Sequence, residues 1–115
     1  MTAGELQFVN GAVINMTGSA RLVNSETVNF VGNGGIQGEG AIRNSGLFEK
    51  TAGINGDGST HIYVPFDNKG TVESSSYPLI FNEGNSAGES DTGNYTTNGG
   101  AVALYGARTF EELVK

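Results

Sequence analysis

The sequence has no cysteine, a single histidine and only six lysines and arginines among 115 residues. Each shortage excludes something. Without cysteine there is no disulfide and no thiol chemistry, although the compartment stays open. One histidine confines any His-dependent constellation to His61. The basic residues nowhere cluster, and the formal charge is −6 with a sequence pI near 4.5. Neither nucleic acid nor an anionic membrane surface is therefore expected as the main partner. No apolar run approaches the ~20 residues of a membrane-spanning helix, so no membrane insertion is expected. Met1–Gly4 does not read as a signal peptide, and an exported form is expected to be a mature piece of something longer. Good helix formers are scarce too, with Leu and Ala scattered along the chain.

In their place stand 19 Gly, 12 Asn, 10 Thr and 9 Ser. Gly and Asn tolerate the positive φ of tight turns, so this composition favours many short strands. Apolar residues come in runs of three to five, such as Leu6–Val9, Val28–Val31 and Ile62–Phe66, each bounded by Gly, Asn, Ser or Pro. That pattern predicts an all-β fold. Asn-Gly pairs begin at Asn10, Asn33, Asn55 and Asn98, with gaps of 23, 22 and 43 residues. A Gly followed four residues later by Leu or Ile recurs at Gly18, Gly38, Gly58 and Gly100, with gaps of 20, 20 and 42. Both series skip one member near Tyr77-Pro78, where a different turn substitutes. A period near 21 residues, holding two or three short strands, is about one coil of a parallel β-solenoid. The expected fold is a single parallel β-solenoid (β-helix) domain of about five coils, over residues 1–115. The alternative is an antiparallel β-sandwich, because Asn-Gly between apolar runs is also a hairpin signal, but hairpins require no fixed register.

The stretch from Ala41 to Val72 organises this repeat. The pattern carried by Asn44, Gly46, Phe48, Lys50, Gly53, Thr60, Ile62, Pro65, Phe66, Asn68, Gly70, Thr71, Val72 and Leu79 resembles the repeats of large secreted bacterial surface proteins, adhesin-like and often autotransporter-like. Gly99–Leu104 followed by Thr109-Phe110 is similar to the next strand pair of that pattern, and the likeness covers most of residues 20–113. Ser76-Tyr77-Pro78 departs from it, since a Ser-Gly turn is usual there. The resemblance implies an extracellular, cell-surface β-helical stalk or passenger region, a fragment of a longer repeat protein with no enzymatic activity assigned.

Candidate chemistry is thin. Alternation places His61 opposite Thr60, Ile62 and Val64, on the solvent side of a strand. The carboxylates are dispersed, with no close pair of the kind a glycosidase needs, and Glu49 beside Lys50 reads as surface charge. No cofactor is expected beyond a weak calcium site in the oxygen-rich loop, with Glu83, Glu89 and Asp91 as its ligands. Asn55–Ser59 has a similar flavour. Tyr63, Tyr77, Tyr95 and Tyr105 are candidate sugar contacts, since a phenol ring offers an apolar face and a polar tip. Phe8, Phe30, Phe48, Phe66, Phe81 and Phe110 are expected in the core, and Asn24, Asn44 and Asn68 as a ladder of stacked amides. Residues 109–115 are expected to form a C-terminal cap, as one helical turn or one more strand. The sequence thus predicts a structural or adhesive segment, a rigid spacer or binding-face scaffold, with a polysaccharide or protein receptor as partner. End-to-end self-association is expected if the coil ends are open. The alternatives are a carbohydrate-binding module and a polysaccharide-active enzyme fragment.

Overall fold

The computed structural model describes residues 4–52 and 58–112. Among them the chain forms strands and no helix, wound as successive rungs. The first rung is β1 (Glu5–Phe8), β2 (Val13–Met16) and β3 (Arg21–Asn24). The second is β4 (Thr27–Phe30), β5 (Gly34–Gly38) and β6 (Ala41–Asn44). The third is β7 (Leu47–Lys50), β8 (Thr60–Ile62) and β9 (Phe66–Asn68). The fourth carries β10 (Thr71–Ser74) and β11 (Pro78–Phe81), and the fifth β12 (Asn94–Thr97) and β13 (Ala101–Leu104).

Like strands of each rung line up in three sheets. Sheet A runs β1-β4-β7-β10-β12, sheet B runs β2-β5-β8-β11-β13, and sheet C runs β3-β6-β9. Every strand pairing is parallel. That excludes the antiparallel sandwich and makes the chain a β-solenoid of about four turns from β1 to β12. Beyond β9 the third side continues without a named strand, and a single parallel bridge joins Asp91 to Phe110. Through Glu112 the tail is therefore not a helical turn, and Leu113–Lys115 lie outside the described residues.

Alternation decides which side chains fill the interior. In sheet A one inward row is Leu6, Val28, Phe48, Val72 and Tyr95. In sheet B the matching row is Ile14, Ile36, Ile62, Phe81 and Leu104. Aromatic rings run through the stack from wall to wall. Ring centroids lie 4.3 Å apart for Phe8–Phe30, 5.4 Å for Phe30–Phe48, 4.8 Å for Phe48–Phe66 and 4.5 Å for Phe66–Phe81. These five phenylalanines are buried, as expected. Phe110 is not: it is 58% exposed, with one edge against the Tyr95 ring.

The asparagine ladder forms. Asn24 Nδ2 donates to Asn44 Oδ1 at 2.8 Å, Asn44 Nδ2 to Asn68 Oδ1 at 3.1 Å, and Asn68 Nδ2 to the Asn94 carbonyl at 2.9 Å. Each amide thereby satisfies its neighbour one rung away inside a buried corner.

The corners from sheet A to sheet B share one device, a residue in the left-handed region. It is Asn10, Gly34, Gly58, Tyr77 and Gly99 in successive rungs, with φ of 60, 120, 64, 65 and 98°. Tyr77 is the substitute turn that interrupts both glycine series. Its ring lies over Gly58, where an added Cβ would stand 2.7 Å from the ring carbons.

Two substitutions test this packing by urea denaturation followed by circular dichroism. Phe48→Ala is expected to cost about 3–5 kcal/mol, because it opens a cavity among the rings of Phe30, Phe66 and Phe81. Asn44→Leu is expected to cost about 2–4 kcal/mol, because it takes one buried partner each from Asn24 Nδ2 and Asn68 Oδ1. Arg43→Gln, which removes only an exposed 3.8 Å pair with Glu89, should cost less than about 1 kcal/mol.

Candidate functional site

Three outer faces compete for a functional role, and the sequence positions them differently. On sheet A, register places Gln7, Asn29, Glu49, Glu73 and Thr96 in one outward row. Glu49 therefore stands directly against Glu73, although the two are far apart in sequence. Burial holds the Glu49 carboxyl above its ordinary range, and the charges of Glu5 and Glu73 add to the effect. Glu5 shifts the other way, because Gln7 Nε2 at 2.9 Å and Asn29 Nδ2 at 3.0 Å donate to its Oε2. Dispersal of the acids in sequence concealed this pairing. The coil-length spacing of Glu49 and Glu73 was its only sequence signal.

Lys50 is a correction. It is fully buried, not a surface charge beside Glu49. It faces inward in the same row as Phe8 and Phe30. Its Nζ donates to the Gly32 carbonyl at 2.9 Å, the Ala52 carbonyl at 2.9 Å and Thr60 Oγ1 at 3.0 Å, knitting the A–B corner.

The third side, next to sheet C, is covered by residues 83–90. Asp67 and Asp91 are both fully buried there. Asn85 Nδ2 bridges them, at 3.1 Å from Asp67 Oδ1 and 2.9 Å from Asp91 Oδ1. Asp67 also accepts from the Ser86 backbone at 3.0 Å and from the Ser86 hydroxyl. Asp91 accepts from the Asn68 backbone at 2.9 Å, Tyr95 Oη at 2.7 Å and Arg108 Nε at 3.1 Å. Arg108 Nη2 then reaches the Phe66 carbonyl. Neither Asp67 nor Arg108 was singled out by the sequence.

The three residues proposed for calcium take separate roles. Asp91 belongs to this buried network, Glu89 Oε1 lies 3.8 Å from Arg43, and Glu83 is exposed. Among the described residues no group of three or more His, Cys, Asp or Glu is arranged to hold a metal ion. In the second oxygen-rich stretch, Asn55–Asp57 lie outside the described residues.

Sheet B offers a ligand-sized relief. Its outward row is Val13, Gly35, His61, Ile80 and Ala103. A Cβ on Gly35 would stand 2.0 Å from the His61 carbonyl oxygen. Glycine is thus required, and its missing side chain leaves a gap in the row. The gap is a cleft of about 210 Å³ walled by Val13, Gln37, His61 and Tyr63. The His61 and Tyr63 rings are parallel, 7° apart in plane with centroids at 5.4 Å. Nδ1 of His61 lies 3.1 Å from Asn82 Oδ1. An amide oxygen only accepts, so in this contact Nδ1 is the donor, which fixes the plane of the ring at the cleft. Gln37 Nε2 donates to Asn15 Oδ1 at 2.6 Å, which holds the amide at the rim.

The four tyrosines part company. Tyr63, Tyr77 and Tyr105 are exposed, at 46%, 44% and 59%. Tyr95 is turned inward, with its ring edge-on to Phe81 and Phe110 and the Arg108 guanidinium 5.8 Å from its centroid. Burial first, and then its bond to Asp91, push the Tyr95 hydroxyl well above the ordinary phenol value. Only Tyr63 stands at the cleft. In comparisons with known proteins, the chain matches no protein family, curated protein or solved structure.

The Glu49 shift has a definite sign. A carboxyl whose value is raised in the fold binds its proton more tightly there than in the unfolded chain. Stability from this group is full below the ordinary 4.5 and is lost as pH rises through the raised value. Glu49→Gln should therefore raise the thermal midpoint at neutral pH, by roughly 1–3 °C for a half-buried group. The gain should disappear in scans carried out below the ordinary glutamate value.

Proposed function

We propose that this chain is a rigid, non-enzymatic segment of a secreted bacterial surface protein, a spacer that carries a binding face outside the cell. One observation supports this reading above the others. The buried polar side chains Asn44, Lys50, Asp67, Asp91 and Arg108 all join one rung to another, while a ligand-sized cleft bearing aromatic rings lies on the outer face of sheet B. Those five groups are engaged in holding coils together, and the exposed face repeats at a fixed ~4.8 Å inter-strand spacing. The Asn44-to-Leu79 pattern, similar to adhesin-like surface repeats, supports the setting.

Within that role, the cleft favours a carbohydrate over a protein receptor. The apolar face of a sugar ring can pack on the paired His61 and Tyr63 rings, and its hydroxyls can meet amides such as Gln37. Glycan-array binding followed by calorimetry tests this directly. Tyr63→Ala and Gln37→Ala are each expected to weaken binding by about tenfold or more, which corresponds to roughly 1.4 kcal/mol. Tyr77→Ala should leave it unchanged. Binding that survives both cleft substitutions removes the carbohydrate reading. Polysaccharide turnover that is lost in Glu49→Gln or Glu73→Gln overturns the non-enzymatic one.

A further inference from the structure

Sheet B carries a second outward row beside the one that holds Val13 and His61. Asn15 and Gln37 are register partners, and each follows an inward isoleucine, Ile14 and Ile36. Tyr63, Asn82 and Tyr105 likewise follow the inward residues Ile62, Phe81 and Leu104. Their backbone N–H groups donate to the Ile36, Ile62 and Phe81 carbonyls of the neighbouring rung at 2.8, 2.8 and 2.9 Å. The row therefore runs Asn15, Gln37, Tyr63, Asn82, Tyr105, one residue per rung. Tyr63 and Tyr105 are both exposed and stand on alternate rungs, with Asn82 between them. Neither outward row contains an Asp, Glu, Lys or Arg, in a chain whose net charge is −6.

The amides of this row are half engaged. Gln37 Nε2 donates to Asn15 Oδ1, and Asn82 Oδ1 accepts from His61 Nδ1. Asn15 Nδ2, Gln37 Oε1 and Asn82 Nδ2 make no hydrogen bond among the described residues. These oriented groups remain for sugar hydroxyls, which both donate and accept. Spacing then selects the kind of sugar chain. The strands before Tyr63 and Tyr105 are two steps apart in sheet B, roughly 10 Å at the usual inter-strand spacing. A hexose in a straight β-1,4-linked chain advances by nearly one such spacing and is turned over relative to the sugar before it. Every second sugar thus presents the same apolar face, at the period of the two tyrosines. We propose that sheet B binds a straight, uncharged β-1,4-linked polysaccharide lying along the solenoid axis. One sugar packs on Tyr63 at the cleft, the next meets Asn82, and the third packs on Tyr105. This rests on the carbohydrate reading of the cleft and adds the linkage, charge and direction of the ligand. An acidic chain would find no lysine or arginine in these rows and would be repelled by the net charge. A curved, α-linked chain would leave the face before reaching Tyr105.

Chain length separates this proposal from binding at the cleft alone. Calorimetry of the full chain with cello-oligosaccharides and with chito-oligosaccharides, from disaccharide to hexasaccharide, is the test. Affinity is expected to rise along at least one series by about tenfold or more. Tyr105→Ala should leave the disaccharide affinity unchanged and abolish the rise, and the retained disaccharide binding reports an intact fold. Tyr63→Ala should weaken every length. Maltohexaose and a galacturonate hexamer should bind no better than the β-1,4-linked disaccharide. Affinity that ignores length, or a rise that survives Tyr105→Ala, overturns the extended-chain proposal and leaves the cleft reading standing. The same holds if maltohexaose or the galacturonate hexamer binds as tightly as the β-1,4-linked hexasaccharides. Absence of binding at every length, in every series, overturns both.

Discussion

Every rung of this molecule must accept the rung beneath it at one inter-strand spacing, with parallel strands in register. This constraint governs almost every residue choice described above. An inward position can hold an apolar side chain, because like packs on like, or an amide, because an amide both donates and accepts along the stack. A lone charge or a lone donor fits only where a corner or a loop supplies partners. The Asn24–Asn44–Asn68 ladder is the amide solution, and the row through Val28, Phe48 and Val72 is the apolar one. Lys50 is one such charge. It is accommodated because the corner carbonyls of Gly32 and Ala52 lie within reach of its ammonium.

The same constraint separates what the sequence disclosed from what it did not. Gly, Asn and Phe recur along the chain, so the solenoid, the amide ladder and most of the aromatic column could be read before any coordinates. Coil lengths are uneven, however. Sheet A advances by 22, 20, 24 and 23 residues between rungs, as Glu5, Thr27, Leu47, Thr71 and Asn94 align. An average period of 21 cannot pair individual residues across such steps, which is why the Glu49–Glu73 contact was hidden. Lys50 was misplaced for a different reason. Period-two alternation from Phe48 already placed it inside, and its charge was given more weight than its position. The Asp67–Asp91–Arg108 cluster lies where the third side leaves strand geometry, so neither periodicity nor alternation reached it.

Division of labour among the faces follows. The third side is closed over by its own loop, and sheet A carries like charges in register, which discourages a second strand from lying alongside. Sheet B is left as the face with both relief and aromatic surface. Its cleft arises from close packing: the His61 carbonyl leaves no room for a Cβ at Gly35, and the resulting gap in the side-chain row is what a ligand would enter.

Arg108 has a consequence for how the structure comes apart. Its guanidinium holds Asp91, and it also reaches the Phe66 carbonyl, 42 residues back and two rungs away. Solenoids generally peel from their ends one repeat at a time, because each repeat touches only its neighbours. Here the last rung is latched to the third across the fourth. Unravelling from this end must release that latch before the final coil leaves, so the last two coils come free as one cooperative block.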